Sequence, residues 1–234
     1  MNIRHLLLGS QSPRRRELLT LLGIPFGIAA PNVVEIPQAN EAPADLVTRL
    51  SQAKAHAACS ELNVQPSDTI LDPVGILDPV GILACDTVVA LDGELLGKPR
   101  DAAEATTMLR RLRERPSHAV YSAVTLLEPA TDRILTDVAE TRLTMRAYTD
   151  AEIATYVASG DPLDKAGAYA IQHPGFHPVA ELQGCYANVM GLPLCHLTRC
   201  LRELGVEPSR DVPAACQAHT DHSCPVYATI LNNK

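Results

Sequence analysis

The stretch LLLGSQSPRRRELL, residues 6–19, decides how the chain is read. The apolar run over residues 3–8 has the length of a short buried strand. Ser12 then stands where a helix N-cap belongs, and Pro13 at the first helical position, where its missing N–H costs nothing. The helix predicted from there runs to Leu22 and stops at Gly23. A strand passing at once into a helix sets the pattern of an α/β chain. The odd feature is Arg14, Arg15 and Arg16. A helix start already carries unpaired N–H groups and about half a positive charge. Three arginines there are costly unless an anion is expected, and their forks match phosphate oxygens in pairs. Ser10 and Ser12 add hydroxyl donors. The plainer alternative is an exposed basic turn.

Composition narrows the classes of function. The 234 residues are 46% hydrophobic, enough for a real core, but only 3% aromatic with no Trp. That core must come from Leu, Val, Ile and Ala, and stacking platforms for single-stranded nucleic acid are not expected. A net charge of −7 argues against a sequence-independent duplex binder. The first apolar run is too short for a signal peptide, and no stretch approaches the roughly 20 apolar residues of a membrane span. No membrane partner and a cytoplasmic location are therefore expected. Seven cysteines form no regular framework, so reduced thiols are the default.

Farther along, residues 43–61 repeat apolar side chains at Leu46, Val47, Leu50, Ala53 and Ala57, a helical period, with Lys54 on the edge of that face. The hexapeptide LDPVGI, residues 71–76, recurs unchanged at 77–82, and its Asp-Pro and Val-Gly steps predict a lengthened loop. ILACDTVVALDGELLGKP (82–99) reads as a nearly continuous apolar strand to Leu91, a turn at Asp92-Gly93, and a second short strand. Asp101 with Glu104, and Thr149 with Glu152, open helices. Strands are predicted over 118–127, 133–145 and 179–183, and a last helix over 194–204. Beyond Pro208 periodicity is lost. The expected organisation is one α/β domain over 1–207, in two lobes around a cleft, followed by a tail over 208–234.

Several residues are candidates for chemistry. Asp86 sits mid-run in an apolar strand, where an ionised carboxylate must be paired, hydrogen-bonded or bound to metal. A buried group of this kind serves as a general base for water or as a ligand for Mg²⁺, and the residues alone leave both open. Lys54, Lys98 and Lys165 are candidate phosphate contacts, and Glu35 a candidate second metal carboxylate. Gln172 offers donor and acceptor together and suits a base edge. Cys216, His219, His222 and Cys224, in CQAHTDHSC (216–224), have zinc-ligand chemistry at a spacing that matches no standard site.

Taken together, GSQSPRRRELLTLLGIPF (9–26), ACDTVVALDGELLGKPRDAAEA (84–105), PLDKAGAYAIQ (162–172) and VMGLPL (189–194) resemble the Maf family of nucleoside triphosphate pyrophosphatases, in family order. The resemblance spans about residues 3–205. It implies a twisted mixed sheet with flanking helices, related to the inosine triphosphate pyrophosphatases, and a nucleotide cleft between lobes. It implies hydrolysis of a nucleoside triphosphate to monophosphate and pyrophosphate with Mg²⁺ or Mn²⁺. Asp86 aligns with the family's proton acceptor. Ser10, Arg15, Glu35, Lys54 and Lys98 match positions that hold phosphates or the metal. Arg14, Thr87 and Gln172 match the positions associated with choice of base, and side with the branch acting on dTTP and UTP. A homodimer is also implied, though no exposed apolar stripe marks its surface. The alternative is a nucleotide-binding regulator of cell division with little or no catalysis.

Overall fold

A computed structural model describes residues 5–61, 70–71, 77–78 and 80–232. Strand β1 (His5–Gly9) is buried from Leu6 onward and hands over through Ser10–Ser12 to helix α1 (Pro13–Leu19). One 3-10 turn follows, Thr20–Leu22, and Gly23 closes it in the left-handed conformation at φ 67°. Ser12 holds the N-cap position but its side chain caps nothing; its own N–H is donated to Ser10 Oγ at 3.2 Å. The serine pair turns inward on itself instead of onto the helix.

The chain then adds a strand that the sequence does not signal, β2 (Phe26–Ala29), parallel to β1. Its four residues carry a glycine, and it lies at the sheet edge, so neither length nor alternation marks it. Helix α2 (Pro43–Glu61) follows, with the predicted bounds. Of the duplicated hexapeptide, residues 72–76 and 79 lie outside the described residues. Strands β3 (Ile70–Leu71) and β4 (Leu77–Asp78) pair antiparallel. The second copy is not all loop, because strand β5 (Val80–Leu91) already begins at Val80, where β1 pairs with it. Ile82 is fully buried, so the end of the repeat supplies core.

Strand β6 (Glu94–Leu96) returns from a turn in which Asp92 and Gly93 take φ 52° and 83°. Helix α3 (Ala102–Glu114) is capped by Asp101, which accepts from the N–H of Glu104 at 2.8 Å, and buries the predicted stripe Ala105, Met108, Leu109 and Leu112. The long hairpin β7 (His118–Glu128) and β8 (Arg133–Met145) precedes α4 (Asp150–Ala158), which starts with a capping box of Thr149 and Glu152. Strand β9 (Val179–Gln183) and helices α5 (Tyr186–Met190) and α6 (Leu194–Glu203) complete the main body. The sheet order is β2-β1-β5-β7-β8-β9 with β6 on β5; β1 is parallel to both neighbours and every other pairing is antiparallel.

Strand β5 is buried on both faces, hence its unbroken apolar run. Ile82, Ala84 and Val88 pack toward α2, among Ala55, Ala58, Val47 and Leu50. Leu83, Cys85, Val89 and Leu91 pack into the larger core with α1, α3, α5 and α6. The registers also leave a notch. β7 runs along one edge of β5 from Ile82 to Ala90. On the other edge β1 ends opposite Leu83 and β6 begins at Val89, so among the described residues nothing pairs with residues 84–88 there.

Residues 208–232, expected as a tail, form helices α7 (Val212–Thr220) and α8 (Tyr227–Asn232). Val212 is buried, and Cys216 and Ile230 pack on the larger core. Ser209 is tied to the end of the first helical segment, donating from N to Leu22 O and from Oγ to Gly23 O. The apolar contacts are too few and too widely spaced to show a period. All seven cysteines are free thiols. Among the described residues, no helix is long and apolar enough to cross a membrane.

Candidate active site

At the notch lies a cleft of about 780 Å³. The end of β1 and the start of α1 form one wall, α2 and residues 30–37 another, and residues 164–172 and 189–191 close the far side. Because β5 crosses the gap, Asp86 and Thr87 both reach the cleft although they point to opposite faces of the sheet. Ser10, Arg14, Arg15, Glu35, Lys54, Asp86, Thr87, Lys98 and Gln172 all line it, as does Lys165.

On the α2 side, Lys54 Nζ lies 2.5 Å from Asp86 Oδ1 and 2.5 Å from Glu35 Oε1. Lys54 and Asp86 are only 8% and 6% exposed, so their charges face each other with little solvent between. Burial acts most strongly on Asp86 and pushes its carboxyl above the ordinary range, against the opposing pull of Lys54 and Arg15. Glu35, exposed at the cleft side, goes the other way. Burial raises it, but the hydrogen bond from Lys54 and the charges of Lys54, Lys98 and Arg15 outweigh burial and leave it lowered. Two neighbouring carboxyls are thus pushed apart in acidity, an arrangement that suits one proton acceptor beside one constant anion.

On the opposite side Arg15 is fixed at three points. Nε donates to Gly191 O at 2.9 Å, Nη1 to Ser10 Oγ at 3.3 Å and Nη2 to Thr87 Oγ1 at 3.1 Å. Two of its five N–H groups are left for a ligand. Ser10 Oγ accepts from Arg15 and from the N–H of Ser12, so its own proton is left to donate. Arg14 reaches Asp164 at 3.2 Å at the cleft mouth. Arg16 does not line the cleft. The arginine run therefore divides its labour, and only its middle member lies at the heart of the site.

Lys165 differs from expectation. Its ammonium is bound by Asp161 O, Asp161 Oδ1 and Asp164 Oδ1 at 2.6, 2.9 and 2.6 Å, so its donors already have partners and it braces the loop instead of offering a free cation. The proposed zinc set is not assembled either. Among the described residues no three His, Cys, Asp or Glu side chains gather to hold a metal. His219 turns toward Glu17 at 3.7 Å and His222 stacks on Tyr186. Sequence reasoning missed Ser122, Asn188 and Asp164. Ser122 and Asn188 are polar positions in buried segments, a signal of the kind that marked Asp86.

A cleft lined by arginines and lysines around one buried carboxylate, opening where a sheet edge is interrupted, is suited to a polyanionic ligand. Residues 5–204 match the family described as Maf-like protein, and the chain belongs to the Maf family. It is similar to the dTTP/UTP pyrophosphatase of Salinibacter ruber, 44% identical over 198 residues that cover 84% of this chain and 89% of that protein. The dTTP/UTP pyrophosphatase of Myxococcus xanthus is 44% identical over 201 residues, 86% of this chain and 93% of that one. The protein of the same name from Dictyoglomus turgidum is 39% identical over 203 residues, 86% and 97% of the two chains. Among solved structures, the nucleoside-triphosphatase / dITP/XTP pyrophosphatase of Mycobacterium abscessus covers 98% of this chain and 100% of its own, with a TM-score of 0.43 and 14% identity, too distant for residue correspondence.

Proposed function

We propose that this protein hydrolyses nucleoside triphosphates between the α and β phosphates, releasing the monophosphate and pyrophosphate, with dTTP and UTP as its preferred substrates. The names of its relatives support the substrate class. The observation that carries the reading is the placement of Asp86 and Arg15 in one cleft, close enough for the guanidinium to bear on the carboxyl's acidity.

In this scheme Ser10, Arg15, Lys54 and Lys98 hold the triphosphate, and Gln172 and Thr87 meet the base. Asp86 orients a water against the α phosphorus and accepts its proton as the new P–O bond forms and the bond to the β phosphate breaks. Preorganised charge, with no covalent intermediate, supplies the rate. Mg²⁺ or Mn²⁺ fits the donor set. The oxygens of Glu35 and Asp86 converge on a single point, taken by the Lys54 ammonium, and a hard cation is commonly held by one or two carboxylates plus substrate phosphates. When bound, such an ion would neutralise charge on the phosphoryl oxygens. Free thiols suit a reducing, cytoplasmic setting.

The test is pyrophosphate release from a panel of UTP, dTTP, CTP, GTP and ATP, with and without EDTA. Release from UTP and dTTP that EDTA abolishes is expected. A preference for purines would overturn the base assignment, and binding without pyrophosphate release would overturn catalysis.

A further inference from the structure

Two hydroxyls flank the Arg15 guanidinium, and their surroundings fix them with opposite polarity. Ser10 is left as a donor, as described above. Thr87 Oγ1 accepts from Arg15 Nη2 at 3.1 Å and lies 2.9 Å from Ser122 Oγ. Ser122 in turn donates to the backbone carbonyl of Asn188 at 3.1 Å, and a carbonyl oxygen only accepts. Since a serine hydroxyl has one proton, Ser122 must accept in its contact with Thr87, and Thr87 must donate there. Reversing the chain would set the lone pairs of Ser122 and Asn188 against each other. Both residues are fully buried, so no solvent relieves that conflict. Asn188 is itself held. Its carbonyl also accepts from Gly191 N–H at 2.9 Å, and its side-chain amide donates to Val120 O and Thr141 Oγ1 at 3.0 and 2.9 Å.

Thr87 therefore presents one unused lone pair and no proton to the cleft. Phosphate oxygens accept hydrogen bonds, so Thr87 is not matched to them; it is matched to a ligand N–H. Uracil and thymine carry N3–H at the edge where cytosine carries a bare lone pair. The Gln172 amide turns to suit either. We infer that Ser122 and the Asn188 carbonyl are positioning elements for base choice: through a one-way chain of hydroxyls they hold Thr87 as an acceptor that takes N3–H and rejects the cytosine N3. The inference rests on the proposed placement of the base against Thr87 and Gln172.

The experiment compares kcat/KM for UTP, dUTP and CTP in the wild type, Ser122→Ala, Thr87→Val and the double variant, with thermal melts to confirm folding. In Ser122→Ala the Thr87 proton is freed to turn toward cytosine. The UTP/CTP ratio should then fall about fivefold to tenfold, the worth of one neutral hydrogen bond, chiefly through KM. Thr87→Val should also lower the ratio, and adding Ser122→Ala to it should change nothing further. A merely structural Ser122 would not show that non-additivity. If Thr87→Val moves the ratio and Ser122→Ala does not, the hydroxyl chain is overturned while the base placement stands. If Thr87→Val itself leaves the ratio unchanged, the base placement fails. A change in UTP/dUTP instead of UTP/CTP would identify a sugar hydroxyl as the donor and overturn the inference. Should Ser122→Ala not fold, Ser122→Cys retains a weaker acceptor on a slightly larger side chain and should shift the ratio the same way by less; an unchanged ratio there overturns the chain.

Discussion

The Lys54 ammonium is hydrogen-bonded to Oδ1 of Asp86 at 2.5 Å, and this pair is nearly closed to solvent. Burying either charge alone would be strongly unfavourable. Together they keep a carboxylate available within an apolar strand, with Glu35 balancing the lysine from the cleft side.

Asp86→Asn keeps the shape and removes the proton acceptor. Pyrophosphate release should fall by about 10²–10³ or more, with the melting temperature little changed because Lys54 retains Glu35. Wild-type turnover in the purified variant would remove Asp86 from the mechanism.

Lys54→Gln should move the acid limb of the kcat/KM profile to higher pH. The lysine opposes the effect of burial on Asp86; without it the protonated acid is favoured, and the active carboxylate form appears only at higher pH. A limb that stays in place would report some group other than Asp86.

His118 should make stability depend on pH below neutrality. Burial lowers its pKa to about 4 from 6.5, and its Nε2 meets the Tyr169 hydroxyl at 2.7 Å. As pH falls below 6.5 the unfolded chain takes up a proton that the folded chain refuses until about pH 4. The sign is therefore a loss of stability on acidification, reaching about 2 kcal/mol by pH 5. Denaturant titrations of His118→Gln, which keeps a partner for Tyr169, should show this part of the slope removed; an unchanged slope would mean that His118 titrates normally.

Gly191→Ala should damage both fold and site. Gly191 sits at φ +104°, and an added Cβ would stand 3.5 Å from Arg15 Nε and Thr87 Oγ1. The strained backbone should cost about 1–2 kcal/mol, and tilting the peptide whose oxygen anchors Arg15 should raise KM for the triphosphate. Calorimetry and steady-state kinetics measure the two effects; a normal KM would show that the Arg15 anchor tolerates the shift.

Where side chains repeat with a clear period, the sequence and the structure agree: α2, the β5 run, the stripe of α3 and the capped start of α4 all stand as their residues predict. Asp86 was legible because a charge amid apolar neighbours demands an explanation. What eluded the sequence depends on contacts made across the fold. β2 exists because β1 offers it an edge, α7 because Val212 finds a place in the core, and Lys165 is bound because a 3-10 turn brings Asp161 and Asp164 around it. Ser122 and Asn188 are polar positions in apolar segments, but their link to each other appears only when 66 residues of separation are closed by one hydrogen bond.

Asp86 and Thr87 follow one another in the chain, yet they stand back to back across a single strand, each supported by a different packing layer. Under the proposed assignment, proton transfer belongs to one layer and nucleotide choice to the other, while Arg15 reaches the phosphates from the Thr87 side. A substitution behind residue 87 can thus retune which nucleotide is taken while the Lys54–Asp86 pair, beyond the backbone, keeps its own contacts.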